Sequence, residues 1–244
     1  MKKVLLGIAI GFVTAVIAAG VILRANFVYL DGRLYKRNAS WLGLRIIDMS
    51  NTHVSELNKC KNLEMLYSTH MDSDDLNKMS VLEKMTNLTI ADPDSDIKSS
   101  DIEKLNMFPE LSSLSFSNAK VDFSDLRSES IKTIHLTECD VTVNDLKLFA
   151  GCPSLKDLEF FQVTIDDRIK FKDEFLEMEC ILTDSSCFSD LDSVKRLYLF
   201  YTYIEDISGI LDMDSLEEFT VSKGFISEED RKLLEDKGVH VSEI

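Results

Sequence analysis

Thiols, imidazoles and carboxylates are the side chains from which metal sites and nucleophiles are built, and here their spacing works against both. The histidines, His53, His70, His135 and His240, stand far apart, and no pair has metal-ligand spacing. The cysteines, Cys60, Cys139, Cys152, Cys180 and Cys187, contain no C-x-x-C. Their odd number argues against a complete disulfide framework and for buried thiols, with a Cys180–Cys187 pair left open if the domain lies outside the cell. Asp92, Asp94, Asp96 and Glu103 occupy positions one, three, five and twelve of a calcium-loop pattern. Position six, where such a loop needs glycine for its sharp turn, is Ile97, so the stretch reads as an acidic solvated turn. No glycine-rich phosphate loop, G-x-S-x-G elbow or H-E-x-x-H occurs. The expectation is therefore no catalytic residue, no metal and no cofactor. An enzyme would need a deep pocket with converging carboxylates that the sequence does not announce. Asn38 and Asn87 open glycosylation sequons, a motif short enough to arise by chance.

Charge narrows the partners. The 244 residues carry a formal net charge of −16. Lys2, Lys3 and Arg24 are the only charged groups in the first 24 residues, which leaves −19 on the remainder. Nucleic acid, or a bilayer with an anionic surface, would require a cationic face, so neither suits the body of the chain. The apolar run Val4–Leu23 has Thr14 as its one hydrogen-bonding side chain, and a helix of that length covers roughly 30 Å, the thickness of a bilayer core. We read residues 1–25 as an uncleaved signal anchor. A cleaved signal peptide is the alternative, with a passable site at Ala18, Ala19 and Gly20, but the apolar run continues straight past it. Orientation is contested by two basic groups: Lys2 and Lys3 before the span, and Arg24, Arg33, Lys36 and Arg37 after it. The acidic remainder favours an external carboxyl-terminal domain.

The body of the chain is periodic. Leu111, Leu114, Phe116 and Val121 set a spacing of apolar slots one, four, six and eleven. Copies begin at residues 44, 63, 85, 111, 131, 155, 175, 194 and 216, and 32 of their 36 slots are hydrophobic where the 45% average would give about half that number. The exceptions, Ser68, Ser73, Ser95 and Ser185, fall in the copies opened by Leu63, Met85 and Phe175. Slots four and six alternate with polar neighbours, the signature of a short strand with one buried face. Single units cannot bury that face alone, so stacked neighbours must supply the core.

With this period and spacing the chain resembles leucine-rich repeat proteins, and segments such as Val194–Leu199 followed by Tyr203–Ile210 look most like the short repeats of bacterial internalins. The resemblance implies an α/β solenoid with parallel strands on a concave face and short helices or turns on the convex face, preceded by one transmembrane helix. Residues 26–43 would form a capping hairpin and linker, turning at Asp31 and Gly32 with Trp41 packed beneath, and residues 44–244 about nine repeats with a C-terminal cap. Helical turns are expected at Ser100–Leu105 and Asn144–Ala150. Ser227 would cap a helix over Glu228–Asp236 that Gly238 stops, followed by a short edge at Val239. The ninth slot, asparagine in the family, holds Thr52, Met71, Pro93, Ala119, Cys139, Val163, Thr183, Thr202 and Gly224, so the buried asparagine ladder is missing.

In this repeat slots three, five and seven face the concave surface. The middle of the array is bland there: Ser113, Ser115, Ser117, Thr133, His135 and Thr137. Toward the carboxyl terminus the same slots bring Phe161, Tyr198 and Phe200 together with Asp157, Glu159, Glu177, Glu179, Arg196 and Glu218, and Tyr201 extends the group. Aromatic anchors rimmed by carboxylates suit a protein or peptide ligand of basic character, unless the rings mainly pack on one another. The expected function is a membrane-tethered, extracytoplasmic binding module, single-pass in the cell membrane. The rival is a cytoplasm-facing scaffold or regulator.

Overall fold

The structure is a computed structural model that describes residues 16–30, 32–44, 51–165, 169–172 and 177–244. Residues 16–26 are helical (α1), and every one of them is exposed. The first part of the expected span, residues 4–15, lies outside the described residues. Among the described residues no helix is long and apolar enough to cross a membrane.

The stretches of four or five residues beginning at slot three become strands, because alternation lets slots four and six turn inward together. The strands are β3 (Trp41–Leu44), β4 (Met65–Thr69), β5 (Asn87–Ala91), β6 (Ser113–Ser117), β7 (Thr133–Thr137), β9 (Asp157–Phe161), β13 (Arg196–Phe200), β15 (Glu218–Val221) and β16 (His240–Glu243). Among the described residues these nine form one sheet in the order β16-β15-β13-β9-β7-β6-β5-β4-β3, parallel throughout. Its register aligns slot four across every coil, running Leu42, Leu66, Leu88, Leu114, Ile134, Leu158, Leu197, Phe219 and Val241. All nine are buried in one continuous core. Slot six runs beside it through Leu44, Ser68, Ile90, Phe116, Leu136, Phe160, Leu199 and Val221.

Two expected coils are corrected. The ladder begins at β3, so the first copy opens at Ala39 instead of Leu44, and slots four and six are Leu42 and Leu44. The sequence is degenerate here, since Leu42 and Leu44 alternate as well as Ile47 and Met49 do; the latter pair lies outside the described residues. Trp41 consequently occupies slot three and is 59% exposed, not packed beneath the cap. The second correction is the copy at Phe175. Its strand, β12 (Glu177–Leu182), does not enter the main sheet, because β13 pairs directly with β9. β12 instead pairs antiparallel with β11 (Ile169–Lys172) and parallel with β14 (Thr202–Ile204) in a separate sheet. The gap from 155 to 194 is close to two repeat lengths, so period alone cannot tell an extra coil from an excursion. The ninth place in the sheet is taken by β16.

After each strand the chain must leave the sheet. His70, Asp92, Asn118, Glu138, Gln162 and Tyr201, all in slot eight, adopt positive φ between 46° and 58°. That conformation is unfavourable for a residue with a Cβ. It is held by backbone bonds to the next coil: Asp92 N donates to Ser117 O (2.9 Å), Asn118 N to Thr137 O (2.8 Å) and Glu138 N to Phe161 O (2.8 Å). Beyond the turn lies a second, discontinuous ladder. It links Ile97 with Val121, Lys120 with Asp140, β8 (Asp140–Val141) with β10 (Thr164–Ile165), and β12 with β14.

The return path carries short helices α2 (Asn51–Leu57), α3 (Ser73–Lys78), α4 (Ser99–Leu105), α5 (Val143–Leu148) and α6 (Ser208–Leu211). The starts of α3, α4 and α5 are fixed by side chains that take up free backbone N–H groups. Thr142 Oγ1 accepts from Asp145 N (3.1 Å) and Asp145 Oδ2 from Thr142 N (2.9 Å), a reciprocal cap that Asp72 and Asp75 repeat on α3. Asparagines also tie coils together, but not in slot nine. Asn58 donates to Lys78 O and accepts from Ser80 N; Asn106 donates to Asp125 O and accepts from Arg127 N. Each stands five residues before a repeat-opening leucine, Leu63 or Leu111. Farther on, Gly209 approaches so closely that a Cβ would sit 1.9 Å from Ser185 O, and its N–H donates to the buried Ser185 hydroxyl (2.8 Å). This contact explains a serine in an expected apolar slot.

Both ends are covered. β1 (Phe27–Leu30) and β2 (Arg33–Lys36) form the expected antiparallel hairpin, with Val28 and Leu30 closing the first coil. α7 (Glu228–Asp236) starts at Ser227, whose side chain accepts from Asp230 N, and ends before Gly238 at φ 94°.

Two measurements check this account. Leu158 is fully buried in the slot-four row, so Leu158→Ala should cost ~2–5 kcal/mol in urea unfolding. A cost below ~0.5 kcal/mol would place that residue at the surface. Asp75 is 5% exposed, and burial, with Asp72 beside it, pushes its carboxyl up to about 6. Between about pH 4 and pH 6 the folded chain holds a proton that the unfolded chain releases, so this group's contribution to stability falls as pH rises through that window. Asp75→Asn should raise stability at pH 7 by about 1–3 kcal/mol and leave it unchanged at pH 4.

Candidate functional site

The inward turn of slots four and six leaves slots three, five and seven on the opposite face of the main sheet, most of them half-covered by their neighbours. Register then decides which of them meet. Slot three runs Trp41, Met65, Asn87, Ser113, Thr133, Asp157, Arg196, Glu218 and His240; slot five runs Tyr67, Thr89, Ser115, His135, Glu159, Tyr198, Thr220 and Ser242 across β4 to β16.

At the carboxyl-terminal end the rings expected to converge do so. Phe161 on β9 and Phe200 on β13 are in direct register, with centroids 6.3 Å apart. Tyr198 stacks on Phe200 at 6.4 Å and an interplanar angle of 26°. Tyr201, held by its positive φ just past the strand, meets Phe161 edge-on at 5.0 Å and Phe225 at 6.4 Å. The rings therefore pack on one another and still stand at the surface: Tyr201 is exposed, and Phe161, Tyr198 and Phe200 are half-buried. Mutual packing lowers the entropy lost when such side chains bind something, since their rotamers are already restricted.

The charged members are placed on the same face but are not all free to act. Arg196 grips Asp157 with two parallel bonds, Nη2 to Oδ2 at 2.9 Å and Nε to Oδ1, and Thr133 Oγ1 adds a donor to the same carboxylate at 3.3 Å. That pairing pushes the Arg196 guanidinium further toward its charged form. His135 Nδ1 lies 2.8 Å from Glu159 Oε2. Burial, and then the Glu218 charge, push the Tyr198 phenol up. Glu177 and Glu179 are the corrections. Both lie on β12 in the other sheet, where backbone register sets them opposite Lys172 and Lys170 of β11. The site therefore reduces to Phe161, Tyr198, Phe200, Tyr201, Asp157, Glu159, Arg196 and Glu218, joined by His135 and Phe225.

A second apolar group, at the other end of the same face, is absent from the sequence reading. Trp41 and Met65 are register partners on β3 and β4, and Tyr67 follows in slot five; all three are exposed. The Trp41 ring lies over Gly43, where a Cβ would come within 2.9 Å of it. Met65 and Tyr67 were legible once the Leu63 copy was accepted as a full coil. Trp41 was hidden by the misplaced start of the first.

The acidic turn does not gather into a metal cage. Asp92 accepts from Asn118 (2.7 Å) and Asp94 pairs with His70 (2.9 Å), so each bridges to a neighbouring coil. Among the described residues no group of three or more His, Cys, Asp or Glu is placed to hold a metal. The cysteines are buried and unbridged, Cys180 and Cys187 included. Burial pushes the Cys139 thiol up to about 11 and those of Cys60, Cys152 and Cys180 upward as well.

No protein-family model and no curated protein matches the chain. Solved structures do. Internalin C2 of Listeria monocytogenes is similar at a TM-score of 0.58 and 14% identity, covering 87% of this chain and 86% of that one. A leucine-rich repeat protein of Leptospira interrogans is similar at a TM-score of 0.50 and 15% identity, covering 81% of this chain but 45% of its own. The present chain thus spans less than half of the Leptospira protein. At such identity the likeness is one of fold, and with the aligned slot-four row it defines the architecture as a leucine-rich repeat solenoid.

Proposed function

We propose that this chain is a membrane-tethered binding module that captures a protein or peptide on the exposed face of its main sheet, with the repeat domain outside the cytoplasm. The observation that carries this is the contiguous ring cluster of Phe161, Tyr198, Phe200 and Tyr201 on a rigid parallel sheet. Aromatic side chains held in place at the centre of a surface are the usual anchors of protein interfaces. Their charged surroundings select the ligand. With Asp157 engaged by Arg196 and Glu159 beside His135, Glu218 is left to meet positive charge, so the ligand has basic character. The module works by binding and not by catalysis in this reading. Tethering is supported by the apolar side chains Val16, Ile17, Val21, Ile22 and Leu23, which stand exposed on α1.

A cytoplasm-facing scaffold is the second reading, favoured by one observation: every cysteine is a free thiol, as is usual in a reducing compartment. The raised thiols of the buried cysteines weigh against it, because oxidation and disulfide exchange proceed through the thiolate.

Two experiments decide. Replacing Tyr198 and Phe200 with Ala should reduce capture of a basic protein ligand at least tenfold while thermal unfolding shifts by only a few degrees; unchanged capture removes the ring cluster as the site. Protease added to intact cells should digest the repeat domain, whereas protection until the cells are opened would establish the cytoplasmic orientation.

A further inference from the structure

The terminal caps of a repeat stack normally show a polar outer face, since nothing stacks on them. The amino-terminal cap here breaks that rule. In the β1–β2 hairpin, register pairs Val28 with Tyr35 and Leu30 with Arg33 on the side facing the core, and Phe27 with Lys36 and Tyr29 with Leu34 on the side facing away. Tyr29 and Leu34 are each 58% exposed, Lys36 stands exposed on the same side, and Arg33 is exposed at the turn. A tyrosine and a leucine side by side, with cations around them, is the composition of a surface that sits at a bilayer headgroup layer.

Charge separation supports the same occupant. Residues 24–37 hold Arg24, Arg33, Lys36 and Arg37 against the single acid Asp31, whereas residues 38–244 hold 21 cations and 42 acids. The whole-chain average therefore hides a local positive face, and the argument that net charge makes against an anionic membrane surface applies only beyond the cap. At the foot of the hairpin, Asn26, Phe27, Lys36, Arg37 and Asn38 line an open cleft directly after α1. Two cations and two amides gathered there suit a phosphate ester, and the chain reaches them as it leaves an apolar helix. Each basic side chain near an anionic surface adds to the attraction.

We propose that the outer face of the β1–β2 hairpin is a lipid-docking face, with Tyr29 and Leu34 entering the headgroup layer of an anionic bilayer, Lys36 meeting its phosphates from the same face and Arg33 from the turn at the hairpin's edge. The proposal rests on the tethered reading and adds to it: the solenoid is held by its capped end against the membrane, not left to swing from a leash. The exposed face of the main sheet is thereby given a fixed presentation.

The test uses the full chain reconstituted into vesicles of phosphatidylcholine alone or mixed with phosphatidylglycerol. Trp41 is the single tryptophan of the chain, so Trp41→Phe combined with Tyr29→Trp places one fluorophore on the hairpin; Leu34→Trp in the same background is the second reporter. Flotation reports the tether, and tryptophan emission reports the hairpin. The expected result is flotation with both lipids, and in the anionic vesicles a blue shift with strong quenching by brominated acyl chains. Arg33→Glu with Lys36→Glu should lower that quenching several-fold while flotation persists. Flotation with solvent-like emission from both reporters overturns lipid docking and leaves the tether standing, and loss of flotation overturns both. Quenching that survives the charge reversals overturns the role of anionic headgroups. A concentration-dependent blue shift in neutral detergent would assign the face to a second copy of the chain and likewise overturn the proposal.

Discussion

The molecule depends on one constraint: no coil can bury its own apolar side, so every coil must align with its neighbours. Leu42, Leu66, Leu88, Leu114, Ile134, Leu158, Leu197, Phe219 and Val241 meet this by standing in a single row across nine strands. A one-residue slip in any strand would carry its row to the solvent face. Register is therefore fixed by burial, and everything on the opposite face inherits that register without having to encode it.

The turns show how the constraint is satisfied with an irregular sequence. The buried asparagine typical of leucine-rich repeats is absent from slot nine, yet the coils remain in step. Positive φ at residues such as Asn118 and Gln162 bends the chain out of the sheet, and inter-coil backbone bonds hold it there. Asn58 and Asn106 supply side-chain links at the opposite corner of the coil. The function of an asparagine ladder, satisfying buried backbone groups between coils, is distributed over several devices. Slot nine is then free to hold Met71, Cys139 or Val163, which pack.

A rigid sheet also explains why surface chemistry is separated along the molecule. The Ser and Thr residues of β6 and β7 divide Trp41, Met65 and Tyr67 at one end from Phe161, Tyr198, Phe200 and Tyr201 at the other. Positive charge is likewise concentrated in the amino-terminal cap, away from the acidic repeats. A solenoid keeps such differences apart because each coil contacts only its neighbours.

The repeat period, the inward slots, both caps and most of the ring cluster were legible in the residues themselves, because burial of one strand face imposes an alternation that survives in a linear sequence. Three things were decided by tertiary structure alone. The start of the ladder at β3 was ambiguous, since Leu42 and Leu44 compete with Ile47 and Met49 for the same slots. The departure of β12 from the main sheet, and with it Glu177 and Glu179, could not be read, because an alternating strand pairs equally well in either sheet. Which carboxylate remained available on the exposed face depended on Arg196 reaching Asp157 across a 39-residue separation. Alternation is local and leaves its mark on the sequence; the choice of partner strand is a comparison between distant alternatives, and only the assembled core makes it.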